Sequence, residues 1–389
     1  MRRHIIMDER RFRHSSLRNP STEIRVLELL PSLRDGIIQC RLRHVKLKCK
    51  YVALSYVWGP PQPTRDILVN GQMFAIRQNL WNFLEMQFET SQTAGVLYWI
   101  DQICVNQDNI EEKCEQVGLM SSIYSNAQQV LIWLGNEDEA ILRHILEVKT
   151  PSLNLLMENY NELIVGRRFG YSPYQWQTTA LRSLCDQIEA KLDGNWMLFE
   201  HLAYNGYWLR AWCLQEYVLA TDAKILSRTA AVGIREFVRI YFAITQFHAF
   251  PDNPLLAFIG ARRLKHRRFW LEMRRHKITL ENVLVFFRNR ERECTNVVDA
   301  IYSLLGLVEL KCLLKPDYSR DARTLYRDAL ICEWYSPSSP RLLADLIAEV
   351  LKLDRDEAWQ SLLRYLELDR DASEDHLEEA ILRERSTIS

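Results

Sequence analysis

Apolar positions along the chain change period several times, and the changes mark out its elements. Ile24 to Leu30 alternates loosely and predicts a strand stopped by Pro31, with Gly36 to Leu42 as its hairpin partner. Tyr51 to Trp58 predicts a third strand, ended by Gly59-Pro60-Pro61. Asn70-Gly71, set within the apolar stretch Ile67 to Phe74, predicts a two-residue hairpin. Asn79 then caps a predicted helix carrying Leu80, Phe83, Leu84 and Phe88. Val96 to Ile100 is a continuous apolar run, the pattern of a strand buried on both faces. Asp101, Gln102, Asn106, Gln107, Asp108 and Asn109 crowd into the loop that follows. The period then turns helical, with Val117, Met120, Ile123, Tyr124 and Ala127 on one face. Asp108 or Asn109 caps that helix, and Glu111 and Glu112 complement its dipole. Val130 to Leu134 closes a strand–loop–helix–strand unit.

Beyond Leu134 helical patterns dominate. Ile141, Leu142, Ile145 and Leu146 share a face, 176–192 and 196–204 read helical, and 206–219 is a helix after an aromatic turn. A short strand is expected over 223–226, while 151–170 is weakly patterned and reads as a surface excursion. Further helices are expected over 234–247, 253–273, 279–290, 297–307, 322–334, 340–351 and 356–366, with a fraying tail after Asp369. The expected fold class is α/β, with an added N-terminal β-hairpin region and a C-terminal helical region. Three segments follow: a flexible basic tail over 1–19, an α/β domain over 20–230 and a mainly helical region over 231–389. Ligands of open α/β sheets sit at the carboxyl ends of strands, which draws attention to the polar loop after Ile100.

Composition narrows the function classes. The 389 residues carry 50 basic and 50 acidic side chains, so net charge gives no ground for nucleic acid or an anionic membrane as partner. Nine scattered cysteines without a Cys-x-x-Cys pair argue against a disulfide framework and a structural zinc, and the histidines show no ligand spacing. No apolar leader or membrane-spanning run stands out, and a reducing, cytoplasmic setting is expected. Neither common Gly-rich phosphate loop is present, against a kinase or a Rossmann dehydrogenase. Cys104 and Cys213 lack an adjacent histidine and sit among apolar residues, as inert buried thiols do.

Read together, the motifs resemble the fungal heterokaryon incompatibility (HET) domain. The blocks are Glu23 to Pro31, Tyr51-Val-Ala-Leu-Ser-Tyr-Val-Trp-Gly59, Trp99-Ile-Asp-Gln-Ile-Cys-Val-Asn-Gln107 with Glu112 and Gln116, Trp133-Leu-Gly135, and Arg210-Ala-Trp-Cys-Leu-Gln-Glu216. Asp299 to Leu307 and Pro316-Asp-Tyr318 resemble the segment usual after the domain, although Val297-Val298 stands where the family has Pro-Arg. HET domains are in turn similar to TIR domains, of which some cleave NAD+, and this resemblance implies a TIR-like doubly wound sheet for the α/β part. Trp212-Cys213-Leu214-Gln215-Glu216 resembles the helix that supplies the TIR catalytic glutamate.

The resemblance implies a cell-death or incompatibility effector that hydrolyses NAD+ at the nicotinamide–ribose bond, with NAD+ as substrate, no further cofactor and self-assembly on activation. It implies Glu216 as the catalytic residue, with Ser55, Trp58, Gly59, Asp101, Asn106, Gln107, Glu112, Arg210 and Trp212 around the substrate. Each residue also has a plainer role. Glu216 could pair with Arg210; Glu112 could only serve the helix dipole; Asp101 could brace its loop; Gly59 could only end a strand; Trp58 and Trp99 could be core. The alternative function is a non-enzymatic module acting by homotypic or protein-partner assembly.

Overall fold

A computed structural model describes residues 11–90, 95–147, 186–187, 189–190, 192–247, 255, 278–287, 292–308, 314–332, 340–370 and 372–388. The expected excursion over 151–170, the helix over 253–273 and most of that over 176–192 lie outside the described residues.

Among the described residues, nine strands form one mixed sheet: β1 (Glu23–Arg34), β2 (Ile37–Lys46), β3 (Val52–Tyr56), β4 (Thr64–Val69), β5 (Gln72–Arg77), β6 (Leu97–Trp99), β7 (Gln129–Trp133), β8 (Ala223–Ser227) and β9 (Ala230–Gly233). Their order is β5-β4-β2-β1-β6-β3-β7-β8-β9. The centre is parallel, with β3 between β6 and β7 and β8 beside β7. Taken alone, these four strands run second, first, third, fourth in chain order. That is a doubly wound arrangement whose switch point lies beside β3. Antiparallel pairs extend it on both sides, β1 with β2, β4 with β5, and β8 with β9.

Alternation decides which layer each strand residue joins. Leu54, Tyr56, Leu131 and Trp133 pack with Phe83 and Leu84 of α1 (Gln78–Glu89). Ala53, Val130 and Ile132 face the other way, onto a larger layer that holds Ile123 and Tyr124 of α4 (Met120–Asn126) and Val218 of α7 (Ala211–Leu219). Ser55, next in step after Ala53, is therefore a hydroxyl on the α7 side of the sheet. The other helices of this half are α2 (Asp101–Cys104), α3 (Ile110–Gly118), α5 (Glu139–Glu147) and α6 (Met197–Ala203).

In the helical half follow α8 (Ile234–Phe247), α9 (Leu280–Phe287), α10 (Asp299–Leu305), α11 (Ala322–Cys332), α12 (Pro340–Val350), α13 (Arg355–Tyr365) and α14 (Glu374–Ile388). α10 lies along α7, and Gln215 Oε1 accepts from the Gly306 N–H at 3.2 Å. A Cβ at Gly306 would lie 2.6 Å from Gln215 Oε1 and 2.8 Å from Ser121 Cβ. Gly306→Ala is therefore expected to destabilise the chain by about 1–3 kcal/mol through overpacking. A lowered melting temperature, with Gly306→Ser lower still, would bear this out; an unchanged one would show that the two halves slide apart freely.

Several expectations need correction. The strand over Ile24 to Leu30 does not stop at Pro31 but continues to Arg34, past a register irregularity between Leu29 and Leu33. Asn79 does not cap α1, whose first turn has no side-chain cap. Its Nδ2 donates to the Val57 carbonyl at 2.6 Å and its Oδ1 accepts from Trp133 Nε1 at 2.9 Å, so it ties together the ends of β3 and β7. Residues 11–19 do not belong to a flexible tail. Phe12 N–H donates to the Met73 carbonyl at 2.9 Å, its ring meets Phe74 edge-on, and Leu17 is buried. The chain after Asp369 is not a frayed tail either: Leu377, Ala380 and Ile381 of α14 are buried. β9, built from small residues, carries no strand signal of its own and was not expected. No helix among the described residues is long and apolar enough to cross a membrane.

Candidate functional site

A cavity of about 1250 Å³ opens at the carboxyl ends of β3 and β6. Its α/β wall holds Trp58, Gly59, Asp101, Gln107, Arg210 and Trp212. Its other wall comes from the helical half, including Glu293, Cys294, Asp299, Tyr318 and Lys352. The chain segment at Glu293 is pinned to the start of α7: Ala211 N–H donates to the Glu293 carbonyl at 3.1 Å, and Glu293 N–H to that of Leu209 at 2.8 Å.

Asp101 follows β6 directly and begins α2. Its Oδ2 accepts from Trp58 Nε1 at 2.7 Å and its Oδ1 from the Gln102 N–H at 2.7 Å. Gln107 Nε2 donates to the Asp101 carbonyl at 3.1 Å, which folds the polar loop back over the strand end. Two guanidinium groups lie near the Trp58 ring, Arg77 at 5.0 Å and Arg210 at 5.9 Å from its centroid. Gly59 turns at φ 73°, and its carbonyl accepts from Arg77 at 2.6 Å. Burial raises Asp101 above the usual carboxylate range, against the opposing pull of the Arg210 charge and the Trp58 N–H. Burial also disfavours the Arg210 charge, but the neighbouring acidic groups, Asp101 among them, outweigh it and raise Arg210 above its ordinary value.

Glu216 is 4% exposed and does not line the cavity. It lies on α7 and reaches β3, where Ser55 Oγ donates to its Oε2 at 2.5 Å. The same hydroxyl meets Tyr207 Oη at 2.7 Å. Burial, then the neighbouring Asp101 charge, pushes the Glu216 carboxyl up to about 8; the Ser55 bond and Arg210 only temper this. The group is therefore mostly neutral at pH 7.

Six of the ten expected site residues line one cavity: Trp58, Gly59, Asp101, Gln107, Arg210 and Trp212. Ser55 and Glu216 pair with each other in the layer behind it. Glu112 and Asn106 do not reach it. Glu112 holds Arg25 through two bonds, Oε1 to Nη1 at 2.6 Å and Oε2 to Nη2 at 2.8 Å, and its Oε1 also accepts from the Asn106 N–H at 3.1 Å. Although burial alone would raise it, the Arg25 guanidinium holds Glu112 below its ordinary value. This carboxylate thus braces the fold, and Asn109, as expected, caps its helix by accepting from the Glu112 N–H. Cys104 is pushed up to about 12 by burial and Cys213 well above its ordinary value, so both thiols are inert.

Asp299, Tyr318, Arg77 and Lys113 were not anticipated at the site. Tyr318 Oη donates to Asp299 Oδ1 at 2.8 Å, and Lys113 Nζ sits 4.6 Å from the Tyr318 ring centroid. Asp299 and Tyr318 stand in the two downstream motifs, which was a usable signal; Arg77 and Lys113 carry none.

The cavity is polar and aromatic-walled and lies at the carboxyl ends of two central parallel strands, where open α/β sheets have room for a ligand. Residues 51–216 match the family model described as Heterokaryon incompatibility protein (HET). Over 346 residues the chain is 30% identical to Heterokaryon incompatibility protein 6, OR allele, of Neurospora crassa, covering 78% of this chain and 50% of the relative. Over residues 51–216 the chain therefore carries a HET domain. The chain spans about half the length of that curated relative. No solved structure matches it.

Proposed function

We propose that this chain is a cell-death effector whose cavity takes NAD+ and whose Glu216 promotes hydrolysis of the nicotinamide–ribose bond. The observation that carries this is a buried carboxyl one helical turn beyond Trp212, which walls the cavity together with Trp58, Asp101 and Arg210. The likeness to TIR domains is supported by the order of the parallel strands.

The chemistry asks little of the protein. Nicotinamide leaves as a neutral molecule from a cationic ring, so no general acid is needed, and the transition state is oxocarbenium-like. A carboxylate near the ribose stabilises the charge that develops there. Binding a cationic ring also draws the neighbouring carboxyl toward its ionised form. Trp58 and Trp212 offer aromatic faces for a ring, and Arg210 and Arg77 offer charge for a pyrophosphate. The described form is then a resting one, in which Ser55 holds Glu216 away from the cavity. Substrate or self-assembly breaks that bond. A cytoplasmic setting, where NAD+ is at hand, belongs to the same proposal.

The same satisfied burial of Glu216 favours a second reading, a signalling module that assembles without turnover. Nicotinamide release from NAD+ separates the two. Glu216→Ala, with melting temperature near that of the parent, is expected to lose release about a hundredfold or more. No release from the parent, with or without a fused oligomerising tag, would favour the module.

A further inference from the structure

At its buried end the cavity is bordered by Trp99, Gln116, Val105, Val117 and Met120. Trp99 and Gln116 are both wholly buried. Trp99 ends β6 and packs edge-on against Tyr124, with ring centroids 5.5 Å apart. Gln116 is on α3. Its Nε2 donates to the carbonyls of Pro20 at 2.7 Å and Glu23 at 2.9 Å. Two carbonyl partners fix the amide's orientation, because only its NH2 can donate. Its oxygen is left to face elsewhere, and Gln116 Oε1 has no hydrogen-bond partner; nor has Trp99 Nε1. A buried donor and a buried acceptor, both unmet, are each unfavourable in a packed interior. Here the two residues that carry them line the same cavity among apolar neighbours.

We infer that this end of the cavity is a subsite for an amide edge, a carbonyl beside an N–H. Trp99 Nε1 donates to the ligand carbonyl, and Gln116 Oε1 accepts from the ligand N–H. Val105, Val117 and Met120 cover the flat ring that bears the group. Amides are neutral, which suits a place bordered by Trp99, Gln116, Val105, Val117 and Met120, none of them charged. A carboxylate of the same shape is excluded, since its oxygen would face Gln116 Oε1 without a proton between them. Two sources present this edge: a primary carboxamide on an aromatic ring, and a nucleobase lactam. If the ligand is NAD+, as proposed above, the carboxamide of its nicotinamide is the group held, and the inference then rests on that reading.

The test is a ligand-observed NMR titration of the full chain with benzamide, hypoxanthine and benzoate, repeated with Trp99→Phe. Phenylalanine keeps an aromatic ring and removes the N–H. Benzamide is expected to bind, benzoate at least fivefold more weakly, and Trp99→Phe to weaken benzamide roughly fivefold to tenfold, the worth of one neutral hydrogen bond. Binding of hypoxanthine in place of benzamide would keep the amide edge and assign it to a nucleobase. Equal binding of benzamide and benzoate by the parent would overturn the inference whatever the variant does. So would no binding of either amide, or unchanged amide binding in a folded Trp99→Phe. Amide selectivity without NAD+ cleavage would leave the subsite standing and remove the hydrolase reading. Cleavage of NAD+ without amide selectivity would do the reverse.

Discussion

Glu216→Gln is expected to raise the melting temperature by an amount that grows as the pH rises from about 5 to 8. The carboxyl ionises near 4.5 in an unfolded chain but at about 8 in the fold. Between those values the unfolded state holds fewer protons than the folded one, so stability falls as the pH rises and levels off above about 8. Glutamine does not titrate, and its oxygen still accepts from Ser55. The parent therefore loses ground to the variant across that window, on the order of a few kcal/mol at its upper end. Differential scanning fluorimetry in matched buffers reads the difference directly. A constant difference from pH 5 to 8 would mean that Glu216 is already ionised in the fold.

The second large effect lies away from the cavity. Arg25 is fully buried and Glu112 is 5% exposed, and Arg25 also donates to the carbonyls of Cys104 at 3.0 Å and Ser15 at 2.6 Å. Arg25→Met leaves an unpaired carboxylate in the interior, and a loss of roughly 3–5 kcal/mol is expected. Removing both charges together, as Arg25→Met with Glu112→Leu, should restore most of it, because two apolar side chains need no desolvation. The lowered Glu112 value adds a pH signature of the opposite sign to that of Glu216. Its contribution is full above the unfolded carboxylate value and is lost as the pH falls through the folded one. Urea midpoints for the two single variants and the double variant check this. A double variant as weak as Arg25→Met alone would contradict it.

The same pair shows where a sequence stops being legible. Local patterns carry far: the apolar runs at Tyr51 to Trp58 and Val130 to Leu134 became adjacent parallel strands, and Asn70-Gly71 became a hairpin turn with positive φ at both residues. Asp101, Arg210 and Trp212 could be gathered from motifs, and they share one cavity. Glu112 looked equally suited to a ligand, since it begins a helix after a polar loop. What removed it is Arg25, 87 residues upstream on β1, which no local signal connects to it. Asn79 failed in the same way, because its partners Val57 and Trp133 stand at the ends of two different strands. The helical wall of the cavity was out of reach for a related reason. Apolar periodicity shows that a helix buries a face, but not against what.

The most direct measurement is the rate of nicotinamide release from NAD+ between about pH 6 and 9 by the parent and by Glu216→Gln. Release by the parent should rise as the free-enzyme carboxyl ionises, with a midpoint in kcat/KM near the value of about 8, and the variant should be inactive throughout. Release by Glu216→Gln at the parent's rate, or a parent profile flat across that range, would contradict a catalytic Glu216.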